Sequence, residues 1–555
     1  MIISICKGER AVKKRSFISL SLISLSLVLF ALFLSVASAT PVGAQGMISA
    51  PSEEDDLAEV ELGDIGKMSA QEISTVQRLL LRLGYLKDEN MTRAMDRPTI
   101  AAVVAHLKEV NTSPQGLSAE KLLRSLFTAA WTKEGWGSGT ADGQDLVVDR
   151  AEVKLAQEAL TKLKYAPGPI DGVFGPATFS AIELFQEDNG LNVTGLLSRN
   201  TFQNVTRALN FVDRKPVSTV HMLNWPDYMN PDTLSNFEKE TNIRVIHEVF
   251  ENSSDTKDLL LQGSPRYDVM VQEGAQMRQV LEGETAVETL DRAKLPNAEF
   301  LDPAALAYTG VLDPGNTHSV PYMWGTVGLG VNKEKVQEIR PDAPLNSLAL
   351  ILDPAVTADM SKCGIAVIDE PIDVIPAIVS YLGGDSKNIG ITDLEAVDRA
   401  LSQVSAYIKV VSTDSYINSM AEGKYCVAWG YSGDNFFARD MAKEKKTGTI
   451  VYNVPKEGSQ LWFDLLVIPS KAQNKAGAYQ LINYILKPEV AAANTNFLQY
   501  ANAVVNSAPF IEPAHLKDPG LYPPKSVLKR LTVQPPMALN VEVEMKRIWA
   551  RLTKE

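Results

Sequence analysis

The sequence predicts an α/β unit of two lobes over residues 217–555, preceded by small all-α helical repeats. Two observations carry this. Strand-like and helix-like segments alternate through 339 residues, enough for two lobes, and alternation of this kind implies helices layered on a sheet. Ahead of them, one helical grammar occurs twice, from about Ser69 to Trp131 and again from Arg150 to Leu209, which marks an internal repeat. At 555 residues the chain is too long for one core, so several domains are expected.

The α/β unit is organised around Val220 to Phe250, which reads as strand, loop, helix, strand. Asn230 suits an N-cap, Pro231 the first helical position and Asp232 the positive helix end, while Leu234 and Phe237 share a face. The loop Asn224-Trp225-Pro226-Asp227-Tyr228 therefore falls where a strand ends and a helix begins, the edge at which open α/β sheets gather ligands. Two aromatic faces and a carboxylate presented together suit an organic cation. The alternative is a structural Trp with a capping Asp. Further strands are expected at Asp268 to Val271, Pro321 to Asn332, Gly364 to Ile368, Tyr425 to Trp429, Thr449 to Val454 and Phe463 to Ile468.

Residues 1–39 read as a secretory signal peptide: a basic cluster, an apolar run from Phe17 to Val36, then Ala37-Ser38-Ala39. The run is also long enough to remain as an anchor. The formal charge is -13, and the leader contributes +4, leaving -17 for the rest. That balance disfavours nucleic acid as a partner and attracts small cations at long range. Residues 40–66, small and acidic, are expected to be a flexible linker, and a Gly-rich linker is expected at 132–147. Beyond the leader only Cys363 and Cys426 remain, an even pair in an oxidising compartment; a disulfide between them is predicted, two buried thiols being the alternative. The five histidines lack metal-ligand spacing, and no metal or other cofactor is expected.

The helical copies span 67–131 and 148–212. In the second, Gln157, Leu160, Leu163, Asp171-Gly172, Phe174-Gly175, Thr178, Ala181, Phe185-Gln186, Gly190-Leu191, Gly195 and Thr201 resemble the small peptidoglycan-binding domain common in cell-wall enzymes. The first keeps Val76-Gln77, Leu83-Gly84-Tyr85, Thr99 and Gly116-Leu117 but lacks the DGxFG turn, and is taken as a degenerate copy. Peptidoglycan is the partner this resemblance implies, a spacer of the same fold being the alternative.

Residues 217–555 are similar, over nearly all their length, to the periplasmic polyamine-binding proteins of ABC transporters, nearest the putrescine-binding type. The match is carried by NWPDY at 224–228, NFEKET at 236–241, PYMWGT at 321–326, CVAWGYSGD at 426–434, WFDLLVIP at 462–469, YANA at 500–503 and YPP at 522–524. The resemblance implies a type II periplasmic-binding-protein fold, two lobes joined by crossover strands near Pro321 to Asn332 and Phe463 to Ile468 and closing over a ligand. It implies a disulfide at Cys363 and Cys426, aromatic walls from Trp225, Tyr228, Tyr431, Trp462 and Tyr500, and carboxylates from Asp227, Asp373, Asp434 and Asp464. A linear diamine fits such a set, because each ammonium needs acceptors and a counter-charge while the methylenes want flat apolar walls. The chain departs from the family at Pro226, for a small polar residue; at Tyr431, for Trp; at Asp373, for Glu; at Thr413, for Ser; and at Glu273, for a small Ser. Glu273 either recruits a further ammonium, favouring a longer polyamine such as spermidine, or faces solvent; Glu370 carries the same two readings.

The expected function is thus capture of a polyamine for a membrane permease by a monomeric, wall-tethered, non-enzymatic protein; a wall-associated sensor is the alternative within the same class. Ser118-Ala119-Glu120-Lys121, Ser386-Lys387-Asn388 and Lys446-Thr447-Gly448 match in order the motifs of penicillin-binding enzymes, but their placement in a repeat and on a turn marks them as coincidence.

Overall fold

The computed structural model describes residues 65–552, apart from 116, 142–143, 251, 284–285, 412 and 536. The predicted leader and nearly all of the acidic linker lie outside these residues. The chain divides at Ala130 into two compact units, described separately.

In the first unit, helix α1 (Ala70–Leu83) opens on a capping box between Ser69 and Glu72, and α2 (Arg97–Glu109) on Asp96, whose side chain accepts from Thr99 N. With α3 (Ala119–Glu134) they enclose Val76, Leu79, Leu80, Val103, Leu107, Leu122 and Leu126. Buried Gln77 clamps the α1–α2 turn: its Nε2 donates to Thr99 Oγ1 at 2.8 Å and its Oε1 accepts from Arg93 N at 2.9 Å.

The second unit begins with the better-preserved copy, α4 (Arg150–Lys162), α5 (Pro176–Asp188) and α6 (Arg199–Ala208). The clamp recurs here twice. Gln157 donates to Thr178 Oγ1 and accepts from Asp171 N and Gly172 N; Gln186 donates to Thr201 Oγ1 and accepts from Thr194 N and Gly195 N. Each clamp pairs a helix glutamine with the threonine of the next helix across a turn that needs positive φ. That position is Gly172 (φ 75°) and Gly195 (φ 72°) here, but Arg93 (φ 58°) in the first unit.

Besides the short antiparallel pair Thr140–Ala141 and Gln144–Asp145, the strands of the second unit are β1 (Ser218–Asn224), β2 (Ile243–Val249), β3 (Val269–Glu273), β4 (Ser319–Asn332), β5 (Ile365–Ile368), β6 (Lys409–Val411), β7 (Val427–Tyr431), β8 (Ile450–Asn453), β9 (Ser459–Val467), β10 (Ala501–Asn502) and β11 (Leu531–Thr532). β1 to β11 form one sheet, with the path β2-β1-β3-β9-β4-β7-β5-β6, β8 and β10 added to β4 and β11 to β9. Pairs β1–β2, β1–β3, β5–β7 and β5–β6 are parallel, whereas β9 and β4 run antiparallel to their neighbours in the middle. The long strand β4 serves both lobes: Ser319 to Thr326 pairs with β9, and Val327 to Val331 with β7. Two cores follow, one holding Tyr322, Met323, Leu461, Phe463 and Leu465 to Ile468, the other holding Val327, Leu329 and Val331. The first crossover falls where expected. The second lies earlier than expected, ahead of Ser459, because Phe463 and Leu465 to Ile468 are already packed inside the first lobe's core.

Helix α6 covers the outer edge of β2. The Asn204 amide grips both backbone groups of His247, donating to its carbonyl at 2.7 Å and accepting from its N–H at 3.1 Å. Ile246 of β2 joins the core of the helical copy, and Arg207 and Glu238 form a buried ion pair at 3.8 Å. Cys363 and Cys426 are disulfide-bonded, closing a loop across 63 residues of sequence.

Candidate functional site

Four strands of the α/β unit deliver the site by one device. β1 runs into the Trp225–Tyr228 loop and then helix Pro231–Thr241; β3 ends on Glu273, which caps helix Gly274–Glu282; β5 leads to Glu370 and helix Pro371–Tyr381; β7 ends on Tyr431, which caps helix Ser432–Lys445. The carboxylates of Asp373 and Asp434 sit in the first turns of their helices, where the backbone N–H groups favour negative charge. All four junctions lie at strand carboxyl ends, where open sheets form their crevice.

The rings form a connected wall. Tyr228 meets Tyr500 with centroids 6.0 Å apart, Tyr500 meets Trp462 at 5.0 Å, and Trp462 meets Tyr431 at 6.1 Å, each edge to face. Trp462 packs against both cores, so it lies between the lobes. Glycines make room for this wall: a Cβ on Gly325 would sit 2.5 Å from the Trp462 ring, and one on Gly433 would sit 2.4 Å from the Tyr500 ring. Trp225 rests on Phe250 at 4.2 Å.

Acids stand against this wall at three places. Asp434 accepts from Tyr416 OH at 3.2 Å and Tyr500 OH at 3.0 Å. Asp373 accepts from Tyr431 OH at 2.7 Å. Asp464 of β9 lies opposite Glu273 of β3, at a register shift where β4 inserts Tyr322 between the partners of Asp464 and Leu465; such an irregularity re-aims side chains next to a site. Asp464 is 7% exposed, and burial lifts its carboxyl to about 7; Glu273 and Asp373 add repulsion, while the Tyr228 hydroxyl and Trp225 indole leaning toward it pull the other way. Burial first and Glu273 second likewise lift Asp373 to about 7, against the Tyr431 hydrogen bond. Crowding by protein, then Asp373, Glu273 and Asp369, pushes Glu370 up to about 8, an effect that solvent weakens because Glu370 is exposed at the rim. The hydroxyls of Tyr228, Tyr431 and Tyr500 are driven far above the usual range by burial and by these acids, so they serve as donors.

The structure thus brings Trp225, Tyr228, Glu273, Asp373, Tyr431, Asp434, Trp462, Asp464 and Tyr500 to one crevice. Asp227 is exposed on its loop with φ 50°, a left-handed conformation that Asp tolerates. Thr413 opens helix Thr413–Ala421, and its side chain lies outside the described residues. Sequence reasoning missed Tyr416 and Tyr322, the second of which donates to the Tyr228 carbonyl at 2.8 Å. A signal existed for Tyr416: Gly430 inside a strand marks a close approach, and a Cβ there would sit 2.4 Å from the Tyr416 hydroxyl. The penicillin-binding-like triplets have other partners: Ser386 pairs with Thr532 at 3.4 Å, and Thr447, after the left-handed cap Lys446, donates to the Ala421 carbonyl at 2.5 Å.

Residues 233–522 match the family of bacterial extracellular solute-binding proteins, and residues 149–204 match a putative peptidoglycan binding domain. The chain belongs to the extracellular solute-binding protein family. It is similar to a putrescine-binding periplasmic protein of Pseudomonas aeruginosa, 36% identical over 336 residues, which are 60% of this chain and 91% of the relative. It is also similar to a putrescine-binding periplasmic protein of Escherichia coli, 36% identical over 339 residues, 60% of this chain and 91% of the relative. Among solved structures it resembles a putative spermidine/putrescine ABC transporter protein of Listeria monocytogenes, with TM-score 0.53, 30% identity, and coverage of 60% of this chain and 98% of that one.

Proposed function

We propose that residues 217–555 are an extracytoplasmic receptor that captures a polyamine and delivers it to an ABC transporter permease, and that residues 149–204 hold the receptor near peptidoglycan. The observation that carries the reading is the burial of Asp373 and Asp464 beside Glu273 and a four-ring wall, with carboxyls held near 7 by their surroundings. Packing acids together away from water costs free energy that a bound polycation offsets, and the ring faces then contact its methylenes. Each ring facing an ammonium adds about 0.5–2 kcal/mol. No step of chemistry is asked of these groups, in keeping with a binding role. Periplasmic residence rests on the leader-like residues 1–39 and on the stated location of the relatives. Calorimetry with putrescine, cadaverine, spermidine and spermine tests the reading. At least one should bind, and Asp434→Ala or Asp464→Ala should cost about 3 kcal/mol, roughly a hundredfold in Kd, by leaving an ammonium short of its counter-charge. A chain that binds none of the four has another function.

A further inference from the structure

We infer that Glu273 makes the crevice selective for a polyamine with three cationic nitrogens over one with two. The inference rests on the proposed function and concerns what this chain adds to it. Glu273 stands at the end of β3 in register with Asp464 of β9, and Gln276 Nε2 holds its Oε2 at 3.1 Å from the first turn of the helix it caps. Its charge reaches the acids of both lobes, being felt at Asp464 on the first and at Asp373 and Glu370 on the second. From this group the ring wall runs through Tyr431, Trp462 and Tyr500 to Asp434 at its other end. The crevice therefore has an acid at one end, a cluster at the other, and Asp464 between the Tyr228 side and Glu273.

A diamine brings two charges to this set. It satisfies one acid at each end and brings no charge to the place where the strand register sets Asp464 opposite Glu273, so the repulsion between those two carboxylates persists. A third nitrogen supplies the missing charge. The Tyr228 hydroxyl, on a residue only 9% exposed, leans toward Asp464 and makes no other hydrogen bond among the described residues, so its oxygen keeps lone pairs able to accept from an ammonium.

The test is calorimetric titration of the full chain with putrescine and with spermidine at pH 8, for the unaltered protein, Glu273→Gln and Glu273→Asp. The unaltered chain should bind spermidine at least about tenfold more tightly than putrescine, the ratio expected from one further charge-assisted contact. Glu273→Gln should shrink that ratio to below about threefold, mainly through weaker spermidine binding, and Glu273→Asp should restore part of it. A ratio that Glu273→Gln leaves unchanged, or a preference for putrescine in the unaltered chain, overturns the inference and leaves polyamine capture standing. Binding of neither amine by the unaltered chain overturns both.

Discussion

A carboxylate is a good ligand for an ammonium only when it is ionised, and Asp464 and Asp373 are held near 7 rather than near the ordinary aspartate value of 3.8. The sign of the consequence differs between folding and binding. Between about pH 4 and 7 the folded chain keeps protons that the unfolded chain releases, so this contribution to stability is fully present below the unfolded value and is lost as pH rises through 7. Without ligand, the unaltered protein should therefore lose stability relative to Asp464→Asn between pH 5.5 and pH 8, measured as the difference in Tm. Affinity runs the other way: polyamine binding should strengthen as pH rises through 7 and release protons below it, and equal Kd values at pH 5.5 and pH 8 would argue against buried acids as the ligands. The ring positions were legible because Trp225 and Tyr228 sit on a strand-to-helix loop and the others lie in motif blocks. Tyr322 and Tyr416 were not, since a tyrosine supporting another residue from inside a core carries no mark in its own segment. The degree to which the acids press on one another was hidden as well, because Glu273, Asp373 and Asp464 are joined only by strand pairing and helix placement.

At the scale of elements, the helical copy at 148–212 reads in the sequence as a separate module, bounded by Lys215-Pro216, yet in space it shares a core with the sheet. Nothing in the sequence distinguishes a linker that lets a module swing from one that turns it back onto an edge strand; the decision lies with Asn204 and Ile246, which look like ordinary helix and strand residues. Strand β2 would otherwise expose unpaired backbone groups, and the Asn204 amide satisfies both groups of His247. The same oxygen also accepts from Arg207 Nη2 at 2.7 Å, which ties the buried Arg207–Glu238 pair into the contact. Burial of His247 beside Arg207 pushes its imidazole down to about 3, so it stays neutral and adds no charge to the interface. Asn204→Ala should cost about 2 kcal/mol by leaving a buried N–H and C=O unmet, and hydrogen exchange at the His247 amide should quicken by roughly thirtyfold. Exchange that stays at its original rate would mean that α6 does not protect this edge.

At the scale of the whole α/β unit, the crevice is assembled from both lobes, so its geometry depends on how they meet. Trp225, Tyr228, Glu273, Asp464 and Tyr500 come with the first core, Asp373, Tyr431 and Asp434 with the second, and Trp462 touches both. Two adjacent residues bridge the gap: Tyr500 donates to Asp434 at 3.0 Å, and Gln499 donates to Asp440 at 2.9 Å, both on helix Ser432–Lys445. Arg439 of that helix adds an ion pair to Asp518 at 2.6 Å. Tyr500 is thus both a wall of the crevice and a latch across it, and Tyr500→Phe separates the two roles by keeping the ring and removing the donor. A ligand that touches both lobes can shift their equilibrium only by the difference in its affinity for the open and closed forms, so weakening the latch should make closure depend more on ligand. Small-angle scattering should show the ligand-free Tyr500→Phe chain with a larger radius of gyration than the unaltered one, and the two converging at saturating polyamine. Calorimetry should show about a tenfold loss of affinity in the variant, the value of one hydrogen bond to a charged group. If the variant matches the unaltered chain in both size and affinity, the Tyr500–Asp434 contact does not hold the lobes together, and closure must come from elsewhere along their shared strand β4.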